Sequence, residues 1–163
     1  MSVNQTAPTL GTLLRHLIEV LDGAVEQAYQ RAGLDYRPRY TPVMRALIEL
    51  GPVSIRTISQ RARITHSAVS QTVSQMAGRG LVKLSPGGDA RERIVVLTPA
   101  AKSLIPVLER QWAATNAAAG SLEDELSAPL SQVLTEALAA LERRPFADRI
   151  ERAAAALKSS NKR

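Results

Sequence analysis

With 163 residues and 45% hydrophobic content, the chain fits one domain, or one compact module with helical extensions, and is too apolar for wholesale disorder. A formal net charge of +6 calls for an acidic partner, nucleic acid or an anionic membrane. The absence of cysteine excludes disulfides, thiolate metal sites and thiol redox sensing, and 3% aromatic residues leave few stacking platforms for single strands or RNA.

Residues 1–9 are polar, without the charged-then-apolar order of a signal peptide, and no apolar run approaches the ~20 residues that span a bilayer. A soluble, cytoplasmic protein without a membrane partner is expected. Leu10, Leu13, Leu14, Leu17, Leu21 and Ala28 recur at helical spacing, which predicts one amphipathic helix over residues 10–31. Gly33 stops it, and residues 35–39 read as a polar connection. Thr41 supplies a capping oxygen and Pro42 a first-turn proline for a second helix, closed at Leu50 by Gly51-Pro52. Ser54 caps a third helix, with Ile55, Ile58 and Ala62 on one side, ending near Arg63. Thr65 caps a fourth, running to about Gly78. Two short helices joined by a tight turn are a helix-turn-helix candidate.

Leu81–Leu84 and Ile94–Leu97 read as strands around the turn-rich tip Ser85-Pro86-Gly87-Gly88-Asp89, a hairpin placed where a wing would follow the second helix. Thr98-Pro99 opens a long helix carrying Leu104, Ile105, Leu108 and Trp112, with a kink expected at Pro106 and an interruption at Gly120-Ser121. Leu126, Leu130, Leu134, Leu138 and Leu141 line a further helix, made regular after Pro129. Residues 146–157 form an alanine-rich last helix, and the basic tail from Lys158 is expected to fray. The fold class is therefore mostly α with a small β-wing. The chain is read as a single module over 1–163, with a winged helix-turn-helix over 41–98 flanked by dimerisation helices at 10–31 and 99–157.

On the fourth helix, Val69, Val73, Met76 and Ala77 fall on one side, while Ser67, Ser70, Gln71 and Ser74 share an arc of roughly 100° on the other. A plain solvated helix would carry Lys and Glu there. Small hydroxyls instead allow close approach to base edges, and Gln can bond an adenine edge at two points. Thr65 and His66 at the start of this helix, with Arg79 after its end, complete the candidate DNA-binding set together with Arg91 and Arg93. From Ser54 to Thr98, seven positive residues face two negative ones, a net of +5 out of the chain's +6. That concentration suits phosphate contact. A membrane surface would want basic residues beside exposed aromatics or leucines on one helix, which this segment lacks. Any single arginine here could equally be a solvated or ion-paired surface residue.

With these elements in place, the sequence resembles the MarR family of bacterial transcriptional regulators over roughly residues 10–142. The most specific part is the run from Asp89-Ala90-Arg91 through Ile94-Val95-Val96 to Leu97-Thr98, which is similar to the family's wing signature. The resemblance implies that Arg91 reaches the minor groove and that Asp89 stabilises the wing through an ion pair. Ala101 departs from the glycine common in the family. The resemblance also implies a homodimer with interlocking first and last helices. Leucine-rich faces on 10–28 and 122–141, more than one small winged domain can cover, point the same way. Many relatives bind small aromatic or phenolic effectors, and His16, Tyr36, Arg37, Arg39, Tyr40 and Arg45 are candidates for such a site here, with ordinary packing or a solvated basic loop as the alternative for each.

No nucleophile elbow, phosphate loop or paired His/carboxylate motif is present, and His16 and His66 lack metal-ligand spacing, so no catalysis, metal or cofactor is expected. The reading is a sequence-specific regulator of transcription, a repressor in the first instance, that binds pseudo-palindromic double-stranded DNA. The alternative is a winged-helix protein–protein adaptor, which would expose apolar anchors where this chain has a polar face and a basic wing.

Overall fold

A computed structural model describes residues 7–88 and 93–160. The chain forms two compact units, Met1–Ala113 and Ala114–Arg163.

The first unit holds the winged lobe. Helix α1 (Leu10–Arg31) begins at Thr9, whose side-chain oxygen accepts the Thr12 amide. The connection to α2 (Thr41–Leu50) is more ordered than a polar loop, because Pro38–Tyr40 forms a 3-10 turn that runs directly into α2. Tyr40 therefore takes helical angles, and Thr41 is the first residue of the helix instead of its side-chain cap. Val43, Met44, Ala46 and Leu47 bury one side of α2.

Val53–Ser54 is a two-residue strand, β1, that the sequence reading does not anticipate. It leads into α3 (Ile55–Ala62), capped by Ser54 as expected. Arg63 ends α3 in the left-handed region at φ 53°, and the Ser59 hydroxyl donates to the Ile64 carbonyl at 2.7 Å, which fixes the turn. Thr65 then caps α4 (His66–Gly78) by accepting the Ala68 amide at 3.2 Å. At the far end Gly80, at φ +69°, closes the helix: its amide reaches the Ala77 carbonyl, and the Leu81 amide reaches that of Met76.

Strands β2 (Val82–Pro86) and β3 (Arg93–Leu97) form the wing, with Val82 opposite Leu97 and Pro86 opposite Arg93. β1 pairs antiparallel with the other edge of β3, giving the order β1-β3-β2. Thr98 ties the wing's exit to its neighbours: its hydroxyl donates to the Gly80 carbonyl at 2.7 Å and accepts the Ala101 amide at 3.1 Å. That second bond caps α5 (Pro99–Asp124). The core joins Val43, Met44 and Leu47 of α2, Ile58 of α3, Val69, Val73 and Met76 of α4, Val82, Val95 and Leu97 of the sheet, and Ala101 and Leu108 of α5. Ala101 is fully buried, so its methyl group fills space here.

The second unit contains the end of α5, then α6 (Leu130–Arg143) and α7 (Phe146–Ser160). α5 is unbroken through Gly120-Ser121, where an interruption is expected from sequence, and through Pro106. α6 starts only after Pro129, and Glu123 supplies the cap that proline cannot, accepting the Ser131 amide at 2.7 Å. That bond holds the Glu123 carboxyl below its ordinary range. Arg149 of α7 closes the other end of α6 by donating to the Ala140 and Arg144 carbonyls at 2.9 and 3.1 Å. Lys158, Ser159 and Ser160 continue α7 as helix, where fraying is expected. α6 buries no residue, and Val133, Leu134, Leu138, Leu141, Phe146 and Ile150 are exposed.

Candidate nucleic-acid interface

The polar face of α4 is built by what lies behind it. Val69, Val73 and Met76 are buried, and Thr72, which the sequence reading does not place in the core, joins them. This pins the helix rotation, so Ser67, Ser70, Gln71 and Ser74 are exposed together, with Thr65 and His66 exposed at the start. No acidic residue occurs in α4, so hydroxyls, an amide and an imidazole would meet an approaching ligand. The helix N-terminus adds its partial positive charge to that end.

Arg93 is exposed at the start of β3, and Lys83 is exposed on β2. Arg91 and Asp89 lie outside the described residues. Arg79 follows α4, but its guanidinium pairs with Asp35, so phosphate contact would compete with that carboxylate.

Of the six effector candidates, Tyr36 and Tyr40 pack together, and the Arg45 charge acts on Tyr36. Tyr36 and Tyr40 are core residues: Tyr36 is edge-on to Tyr29 with ring centres 5.1 Å apart and to Tyr40 at 5.6 Å. Tyr29 and Tyr36 are parts of the same packing problem, because Tyr29 also accepts the Trp112 indole N–H at 3.1 Å. His16 and Arg39 are exposed, and Arg37 is half-buried. The Arg39 charge acts on Asp22 of α1, whose carboxyl is raised above its usual range chiefly by burial, against that attraction. Arg45 faces a cavity, and the reading from sequence misses residues that share it: Trp112, Arg61 and Glu49. An aromatic at position 112 reads as ordinary core in a helical pattern, and nothing local links it to α3.

Residues 33–92, most of the lobe just described, match the sequence model of the MarR family. No curated protein gives a significant match. Among solved structures, a MarR family transcriptional regulator from Silicibacter pomeroyi is 26% identical, with a TM-score of 0.58, over 81% of this chain and 94% of that one. A transcriptional regulator of M. tuberculosis, MOSR, solved in complex with DNA, is 19% identical with a TM-score of 0.65, over 87% of this chain and 99% of that one. BpsR of Bordetella bronchiseptica, described as regulated in its DNA binding by 6-hydroxynicotinic acid, is 19% identical with a TM-score of 0.58, over 88% and 99%. Across residues 33–92 the chain matches the MarR family model, and over 81% of its length it is folded like a solved MarR family regulator.

Proposed function

We propose that the protein is a sequence-specific double-stranded-DNA-binding regulator of transcription, a repressor acting as a homodimer on a pseudo-palindromic site. The observation that carries this reading is the exposed, acid-free face of α4, where Ser67, Ser70, Gln71 and Ser74 stand clear of a well-filled core. In the proposed complex this face enters the major groove, with Gln71 reading a base edge and the serines admitting the helix backbone close to the bases. Thr65 and His66 sit near phosphates at the helix start. Arg93 follows the backbone, and Arg91 enters the minor groove. Arg79 contributes once it leaves Asp35.

The dimer is supported by the apolar surface each unit leaves uncovered: Leu10, Leu13 and Leu21 on α1, and Val133, Leu134, Leu138 and Leu141 on α6. A small aromatic acid that releases DNA fits the description of the Bordetella relative. The protein would act wherever the genome is, in the cytoplasm.

The reading is tested by titrating the full-length protein into a pool of labelled duplexes at several salt concentrations. Binding is expected at low salt, with log K falling linearly against log salt, because phosphate contacts release counterions. A protein that retains no duplex at low salt does not have this function.

A further inference from the structure

Arg79, at the end of the proposed reading helix, is held by a carboxylate from a distant part of the chain. Gly33 turns the chain out of α1 at φ +71°, and Leu34 and Tyr36, both buried, pin the segment on either side of Asp35. Asp35 is thereby left facing outward, its side chain 85% exposed. Arg79 follows the last turn of α4, immediately before Gly80 closes the helix. Its Nη1 donates to Oδ1 of Asp35, and Tyr40 and Glu26 of α1 also act on the guanidinium.

The helix end makes the position of the acid informative. α4 presents its negative pole here, where a cation is favoured and an anion is not. Arg79 would therefore serve the helix end equally well without Asp35, and Asp35 gains its place from Arg79. An exposed ion pair of this kind contributes little to stability. The Arg79 side chain is 30% exposed, open enough to meet a second anion. A carboxylate and a phosphate offer a guanidinium the same kind of acceptor oxygens, so either can replace the other.

We propose that Asp35 sets the strength of duplex binding: it stands in for a DNA phosphate at Arg79 and withholds that arginine from the backbone. This inference rests on the DNA-binding function proposed above, and it adds a residue that lowers affinity to those that raise it. Ser67, Ser70, Gln71 and Ser74 carry no charge, so phosphate contact falls to the cations around α4. Withholding one of them weakens binding to every duplex alike, because phosphate contacts position a protein without reading its bases.

Full-length wild type, Asp35→Asn, Arg79→Gln and the double variant are titrated with a labelled random-sequence duplex over a series of salt concentrations. Asparagine keeps the shape of the exposed Asp35, so the variants should fold, which circular dichroism checks. Asp35→Asn should bind about fivefold more tightly at low salt, and its log K should fall more steeply against log salt, by up to about 0.9 in slope, as one further phosphate contact releases its counterion. Arg79→Gln should lie close to wild type, since the arginine it removes is already engaged. Adding Asp35→Asn to Arg79→Gln should change affinity by less than about twofold and leave the slope as it was. A gain that persists without Arg79 is a general loss of negative charge and overturns the proposal. So does an Asp35→Asn variant with wild-type affinity and slope, or a large loss in Arg79→Gln alone. Either result with wild type still binding duplex removes the Asp35 assignment only, whereas failure of all four proteins to bind at low salt removes the DNA-binding reading and this inference with it.

Discussion

Tyr36 is 2% exposed, and its hydroxyl makes no well-formed hydrogen bond within the described residues, although the Thr41 side chain acts on it. A buried hydroxyl in that state costs stability, so Tyr36→Phe should raise the unfolding free energy by about 1 kcal/mol at neutral pH, measured by denaturant titration. Burial also pushes the Tyr36 phenol above its ordinary pKa of 10.0. The folded chain therefore holds this proton to higher pH than the unfolded chain does. Stability should be intact below pH ~10 and fall as pH rises beyond it. Tyr36→Phe should remove that part of the decline, and a variant with the same alkaline profile as wild type would show that Tyr36 is not its source. This residue also marks a limit of the sequence. Tyr36 lies between Asp35 and Arg37 in a segment that reads as a polar connection, and the proximity of Tyr29 and Tyr40 turns it into core.

α4 was legible because several local signals agree: Thr65 as cap, apolar residues three and four apart, and Gly80 at the close. Thr65→Ala should destabilise the protein by about 1 kcal/mol through loss of the Ala68 bond. Gln71→Ala should leave stability unchanged while costing about 1–3 kcal/mol on the preferred duplex and relaxing preference at one base position in each half-site. Competition between sequence variants measures this, and unchanged discrimination would remove Gln71 from the reading surface. β1 was not legible, since two residues carry no alternation and the strand exists only because Val95 and Ile94 lie beside it. Gly120 misled in the opposite direction. A helical glycine costs about 1 kcal/mol relative to alanine, and the three alanines before it sustain the helix through that position.

At the scale of the molecule, the winged lobe could be read from sequence because its caps, turns and hairpin are local. The cavity beside Arg45 could not, because it is assembled from elements far apart in the chain: Arg45, Arg61 and Trp112 share no motif. The apolar faces of α1 and α6 lead to a prediction about assembly. Full-length protein should sediment as a dimer at micromolar concentration, and removing residues 122–163 should give monomer or aggregate with much weaker duplex binding, since a single lobe engages one half-site. The central claim is that α4 reads duplex DNA in a twofold complex, and selection of bound duplexes from a random pool tests it most directly. The account predicts enrichment of a pseudo-palindrome with half-sites about one helical turn, ~10 bp, apart, lost when Gln71, Ser70 and Ser74 are changed together to alanine. No enrichment over the starting pool, or the same enriched site from the triple variant, would contradict it.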